Sequence, residues 1–170
     1  MGDVRRDKGA DVLLEAYARM HQRPPLVLIG KVWPETPKIP EQVTLLRDWP
    51  NAAVRAAMRR SLALVAPSVW AEPFGIVVAE SIAAGRPVVG SAIGGIPEIV
   101  RDGREALLVE PGDAGALADA LQRISDDTVL RDRLAANALV RAEEFTAAAV
   151  VPRFEAAYQR ALLQRGARVD

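Results

Sequence analysis

The sequence has no cysteine and a single histidine, His21. Disulfides, thiolate metal sites and histidine clusters are therefore excluded, which leaves only oxygen ligands for any metal. It also lacks net charge, because 22 Lys and Arg balance 22 Asp and Glu. Without a basic excess there is no electrostatic footprint of the kind nucleic-acid binding needs, so neither DNA nor RNA is expected as a partner. No stretch approaches the about 18 uninterrupted apolar residues of a membrane-spanning helix, and the charged start MGDVRRDKGADVL has no apolar signal-peptide core. Gly2 follows the initiator, but Arg6 stands where a myristoylation signal has Ser or Thr. The expected location is the cytoplasm, with a peripheral position at the inner face of the membrane left open. No G-x-G-x-x-G follows any predicted strand, which argues against a dehydrogenase.

What is present is apolar residue in quantity: 50% of 170 residues, enough for the core of one domain. Short apolar runs alternate with amphipathic segments, the pattern of an α/β fold in which helices on both faces cover a Rossmann-like parallel sheet. The runs Leu26–Ile29, Val43–Leu46, Leu62–Ala66, Pro87–Gly90 and Ala106–Val109 read as strands, each ended by a breaker. Helices are expected over Asp11–Met20, Asn51–Arg60, Gly75–Ala84, Gly95–Val100, Asp113–Ser125, Thr128–Glu144 and Ala148–Gln164. Lys31–Gln42, with prolines at 34, 37 and 40, reads as a mobile loop. Arg55, Arg59 and Arg60 read as a solvated helix face.

The segment Glu72-Pro-Phe-Gly-Ile-Val-Val-Ala-Glu80 carries the most chemistry. Pro73 biases Glu72 toward extended backbone, and a helix can begin near Phe74 or Gly75. The first-turn N–H groups of Gly75, Ile76 and Val77 then lack intrahelical partners and, with the helix dipole, form an anion site. Gly75 leaves a ligand room to approach. Glu80 lies five residues beyond it, about 7.5 Å further along the axis, a plausible reach from a diphosphate to a ribose diol. Glu72, outside the helix, could accept from sugar hydroxyls. Gly94-Gly95, before Ile96-Pro97-Glu98, reads either as a second phosphate nest or as a simple tight turn. These loops share the carboxyl ends of the strands, where open α/β sheets bind ligands. A glycosidase-like pairing of Glu72 with Glu80 is disfavoured, because a carboxylate inside the helix is poorly placed for it.

These residues resemble the retaining nucleotide-sugar glycosyltransferases of the GT-B fold, in the large family 4 (group 1). The resemblance rests on Pro67-Ser68-Val69-Trp70-Ala71-Glu72-Pro73-Phe74-Gly75, the E-x7-E pair Glu72 and Glu80, Ala84-Gly85-Arg86-Pro87-Val88-Val89, Gly94-Gly95-Ile96-Pro97-Glu98 and Asp102-Gly103 before Leu107-Leu108-Val109. Lys8-Gly9, followed by Asp11 and Leu13-Leu14, belongs to it as well. It implies a single domain, residues 1–170, that binds a UDP-, GDP- or ADP-linked sugar donor. Phe74 and the amides of Gly75, Ile76 and Val77 would meet the diphosphate, Glu80 the ribose and Glu72 the donor sugar. Lys8 would neutralise the departing diphosphate as charge grows there. The resemblance further implies retention at the anomeric carbon, with no required metal and no cofactor.

The departures are specific. The family's arginine five positions before the lysine is replaced by Asp3, so Arg5 or Arg6 would have to serve from a shifted register. After Leu45-Leu46, Arg47 stands where glycine is common, beside the loop expected to meet the base. The resemblance leads one to expect an apolar strand before Gly2 and an amino-terminal domain that brings a sugar or lipid acceptor; neither is read within these 170 residues, which look like the carboxyl-terminal half of a longer protein. The isolated domain is expected to bind donor without useful transfer, and an uncovered sheet edge would invite self-association. The alternative is a non-catalytic nucleotide-binding or interaction module built on the same fold.

Overall fold

The computed structural model describes residues 2–166, with side chains to residue 164. Six strands run in order as β1 (Gly2–Val4), β2 (Val27–Val32), β3 (Thr44–Leu46), β4 (Leu64–Ala66), β5 (Val88–Ser91) and β6 (Ala106–Val109). Seven helices accompany them: α1 (Ala10–Arg19), α2 (Asn51–Arg60), α3 (Ile76–Ala83), α4 (Ile96–Ile99), α5 (Ala114–Asp126), α6 (Thr128–Ala142) and α7 (Ala147–Gly166). A 3-10 turn, Glu143–Phe145, links α6 to α7.

The strands form two parallel three-stranded sheets, ordered β1-β2-β3 and β4-β5-β6. Consecutive β5 residues point to opposite faces, as a strand's period of two requires. Val89 joins Leu107, Leu117, Ile124 and Leu134 in one cluster, while Val88 joins Val78, Ile82, Ile96 and Ile99 in another. Helices α1 and α5 cover the first face, α3 and α4 the second, and α6 contributes Leu134 to one and Ala138 to the other. Two-sided burial explains why β5 and β6 read as continuous apolar runs.

Two sequence expectations change here. Gly30 does not end its strand: Gly2 pairs with Gly30 and Val4 with Val32, so β2 continues for two residues into the expected loop Lys31–Gln42. A Cβ on Gly30 would lie 2.0 Å from the Gly2 carbonyl oxygen, so the glycine admits a neighbouring strand instead of breaking one. That neighbour, β1, occupies the position for which no apolar run was found. The rest of the loop is tied back by Thr36, whose hydroxyl donates to the Val4 carbonyl at 2.6 Å.

The sheets meet at their carboxyl ends. Val69 N–H donates to the Asp7 carbonyl at 3.0 Å, and a Cβ on Gly9 would lie 1.8 Å from the Pro67 carbonyl oxygen. Only glycine, at φ 72°, lets the loop after β1 press against the loop after β4. Helix α7 contrasts with the rest: Val151, Phe154, Tyr158 and Leu162 follow helical spacing yet all are exposed. Arg55, Arg59 and Arg60 on α2 are exposed too, as their pattern predicted. Among the described residues no helix is long and apolar enough to cross a membrane.

Candidate functional site

Pro67 ends β4 and the chain turns through Ser68 to Gly75 before entering α3. Gly75 caps that helix at φ 91°, a left-handed conformation that an L side chain adopts only with strain. A Cβ there would meet nothing nearer than 3.6 Å. Backbone handedness, more than room for a ligand, therefore accounts for the glycine. The N–H groups of Gly75, Ile76 and Val77 donate to no protein acceptor among the described residues, while Val78 N–H is the first to bond back, to the Gly75 carbonyl. Three donors at the positive end of a helix dipole are thus unpaired among the described residues. The Phe74 and Ile76 side chains beside them are exposed.

Lys8 and Glu72, 64 positions apart in sequence, come together at this turn. Lys8 Nζ lies 2.6 Å from Glu72 Oε1 and 4.8 Å from the centre of the Trp70 ring. Ser68, 5% exposed, donates its hydroxyl to the same Oε1 at 3.0 Å. Burial pushes the Glu72 carboxyl up, but the contacts from Lys8, Ser68 and Trp70 and the Lys8 charge outweigh it, and the group ionises below the usual carboxylate range. Ser68 and Trp70 were not singled out from the sequence. Their signal lay only in the Pro67–Gly75 run, because a hydroxyl's partner is a tertiary fact.

Glu80 lies one helical turn into α3, partly exposed, and its carboxylate accepts no hydrogen bond from the described residues. Gly94 and Gly95, read either as a phosphate nest or as a tight turn, lie against the Glu72 backbone. Gly95 N–H donates to the Glu72 carbonyl at 2.7 Å, so that amide is already engaged and does not await a phosphate. A Cβ on Gly94 would stand 2.4 Å from the same carbonyl oxygen. The glycine pair seats the Glu72 backbone. Arg5 has its Nε 3.2 Å from Asp7 and 3.6 Å from Glu35, and its guanidinium 5.8 Å from the Trp33 ring. Arg6 pairs with Asp11 at 3.5 Å. On the same carboxyl edge, beyond β2 and β3, a shallow cavity of about 500 Å³ is lined by Val32, Trp33, Ile39, Val43 and Arg47, among others.

Residues 1–141 match the model of the family described as glycosyl transferases group 1. D-inositol 3-phosphate glycosyltransferase from Nocardioides is 49% identical over 83 residues, 49% of this chain and 18% of that protein. Phosphatidyl-myo-inositol mannosyltransferase of Mycobacterium tuberculosis is 34% identical over 156 residues, covering 84% of this chain and 41% of the relative. Anabaena HepE, solved in complex with UDP, superposes with a TM-score of 0.82 at 23% identity, over 94% of this chain and 48% of that one. The chain thus spans less than half the length of each of these proteins. Its parallel sheets and covering helices are those of GT-B enzymes, and the chain belongs to the glycosyl transferases group 1 family.

Proposed function

We propose that this chain is the donor-binding, carboxyl-terminal domain of a retaining, family 4-type glycosyltransferase that takes its sugar from a nucleotide diphosphate. The observation that carries the reading is the Lys8–Glu72 pair set beside the open amides of α3. In this reading Gly75, Ile76 and Val77 hold the diphosphate, supported by three amides without a protein acceptor among the described residues. Phe74 and Gly94 border that phosphate position. Glu80, free of protein partners among the described residues, accepts from the ribose hydroxyls. Glu72 orients the donor sugar, and Lys8 turns from it toward the leaving diphosphate. As the bond from the anomeric carbon to the diphosphate oxygen breaks, its electron pair passes to that oxygen, and the ammonium offsets the charge that develops. An acceptor hydroxyl, on a sugar or lipid brought from outside this domain, then bonds to the same face of the anomeric carbon, and its proton passes to the departing diphosphate oxygen. Arg5, paired with Asp7 and Glu35, serves the diphosphate from a register shifted from the family's arginine. The cavity beside Arg47 is the place for the base.

The relatives' names support transfer of a sugar, and HepE's complex makes UDP the first ligand to try. Calorimetric titration with UDP, GDP and ADP is expected to give saturable binding of one of them. Glu80→Ala should weaken that binding by about 1.5–3 kcal/mol, the scale of a hydrogen bond to a charged group. A folded protein that binds none of the three would overturn the reading and leave the non-catalytic interaction module in its place.

A further inference from the structure

The turn that carries Glu72 and opens α3 is braced from a distant part of the chain. Phe145, in the 3-10 turn after α6, sets its ring edge-on to Phe74, with centroids 6.1 Å apart and planes at 65°. The same ring packs against the cluster that contains Val78, Ile96 and Ile99. These three side chains also surround Gly75, since a Cβ there would meet all of them between 3.6 and 3.8 Å. Arg141, one turn earlier and 15% exposed, donates through Nε to the Ile99 carbonyl at 2.9 Å and through Nη2 to the Glu98 carbonyl at 2.6 Å. Its third contact is Glu144 at 2.6 Å, and its guanidinium carbon stands 5.2 Å from the Phe145 ring centre.

Arg141 therefore grips the carboxyl end of α4, while the glycines before α4 grip the Glu72 backbone. Phe145 meanwhile holds Phe74, two residues beyond Glu72. The turn between Glu72 and Gly75 is held on both sides by one short stretch of α6 and its 3-10 extension. We propose that Arg141 and Phe145 are positioning residues of the donor site, which fix Glu72 and the free α3 amides in the geometry a nucleotide diphosphate requires. This rests on the donor-site reading above. In that reading both act through Phe74 and α4. Their contribution is preorganisation: a turn already ordered loses less conformational freedom when the anion arrives. Phe74 is 45% exposed, so without Phe145 little else would restrain it.

The test uses whichever of UDP, GDP or ADP saturates the wild-type chain, titrated well below the unfolding midpoint of every variant. Phe145→Ala and Arg141→Lys are expected to bind it about tenfold more weakly, while Phe145→Tyr restores wild-type affinity. Amide hydrogen exchange at Gly95 and Val78, whose N–H groups bond to the Glu72 and Gly75 carbonyls, should quicken in the two weakened variants, with exchange in α5 unchanged. A merely structural role would lower the unfolding midpoint and leave affinity and local exchange as they were, and that result would overturn the proposal. Arg141→Lys keeps the charge and the buried stem, so it carries the test if Phe145→Ala fails to fold. If the wild-type chain binds no nucleotide diphosphate, the donor reading itself falls; wild-type binding with unaffected variants refutes the positioning role alone.

Discussion

The two sheets are built to different standards. Every residue of β5 is buried, and β6 begins with two buried residues. In β2 only Gly30 is buried, and β3 buries none. Both large core clusters lie around β4-β5-β6, and that half even encloses a carboxylate, Glu105, paired with Arg101. Beside β1-β2-β3 the core shrinks to Tyr17, Met20 and Val43 with partly buried neighbours. The candidate site straddles this division. Glu72 and α3 stand on the firm half, whereas Lys8 arrives from the thin half, through the seam where Gly9 meets Pro67. If the donor reading holds, a well-buried support for the α3 amides and a lighter one for the Lys8 cation suit a ligand that the cation must follow as charge moves.

The most forceful way to break this comparison is to cut one side chain from each half. Ile82 on α3 is fully buried, so Ile82→Ala should cost about 2–5 kcal/mol in urea unfolding, transfer and cavity terms together. Val27 in β2 is 44% exposed, and Val27→Ala should stay within about 0.5 kcal/mol. Similar losses at both sites would mean that the halves are held equally. Next in size is the seam. Gly9→Ala combines about 1–2 kcal/mol of left-handed strain with overlap on the Pro67 carbonyl, for a total of about 2–4 kcal/mol. Gly103, at φ 68°, has nothing within 4 Å of an added Cβ, so Gly103→Ala shows the strain alone. The difference between the two glycine variants measures the seam, and equal costs would remove it from the account.

The firm half was also the legible one. Two-sided burial and sharp breakers placed β6 at its sequence-predicted bounds. The thin half misled for physical reasons. Gly-Asp-Val carries no apolar signal, so β1 emerges only through its pairing with β2. Gly30 looks like a terminator until the Gly2 carbonyl is seen in the space where its Cβ would be. At the site, the residue types and the helix start were readable, because an unpaired helix terminus follows from local chemistry. The engagement of Gly95 N–H by Glu72 was not, nor was the Ser68 contact. Both depend on which loops the fold brings together, and spacing along the chain does not encode that.

The smallest expected effect tests whether the thin half's cation governs the firm half's carboxylate. In Lys8→Met, burial still pushes Glu72 up while the hydrogen bond and charge that hold it down are gone, so its pKa should rise. Side-chain carboxyl NMR across a pH titration, with Glu72→Gln to assign the resonance, measures this directly. The stability consequence follows from the sign. A carboxylate whose folded pKa lies below its unfolded value contributes stability above the unfolded pKa and loses it as pH falls through the folded one. The wild type should therefore be favoured over Lys8→Met at neutral pH, by about 1 kcal/mol or less for a partly exposed ion pair. That advantage should fade in the acid range, as Glu72 takes up its proton. If Glu72 titrates at the same pH in both proteins, Ser68, Trp70 and the backbone seat set its ionisation without Lys8, and the lysine is free to serve the ligand alone.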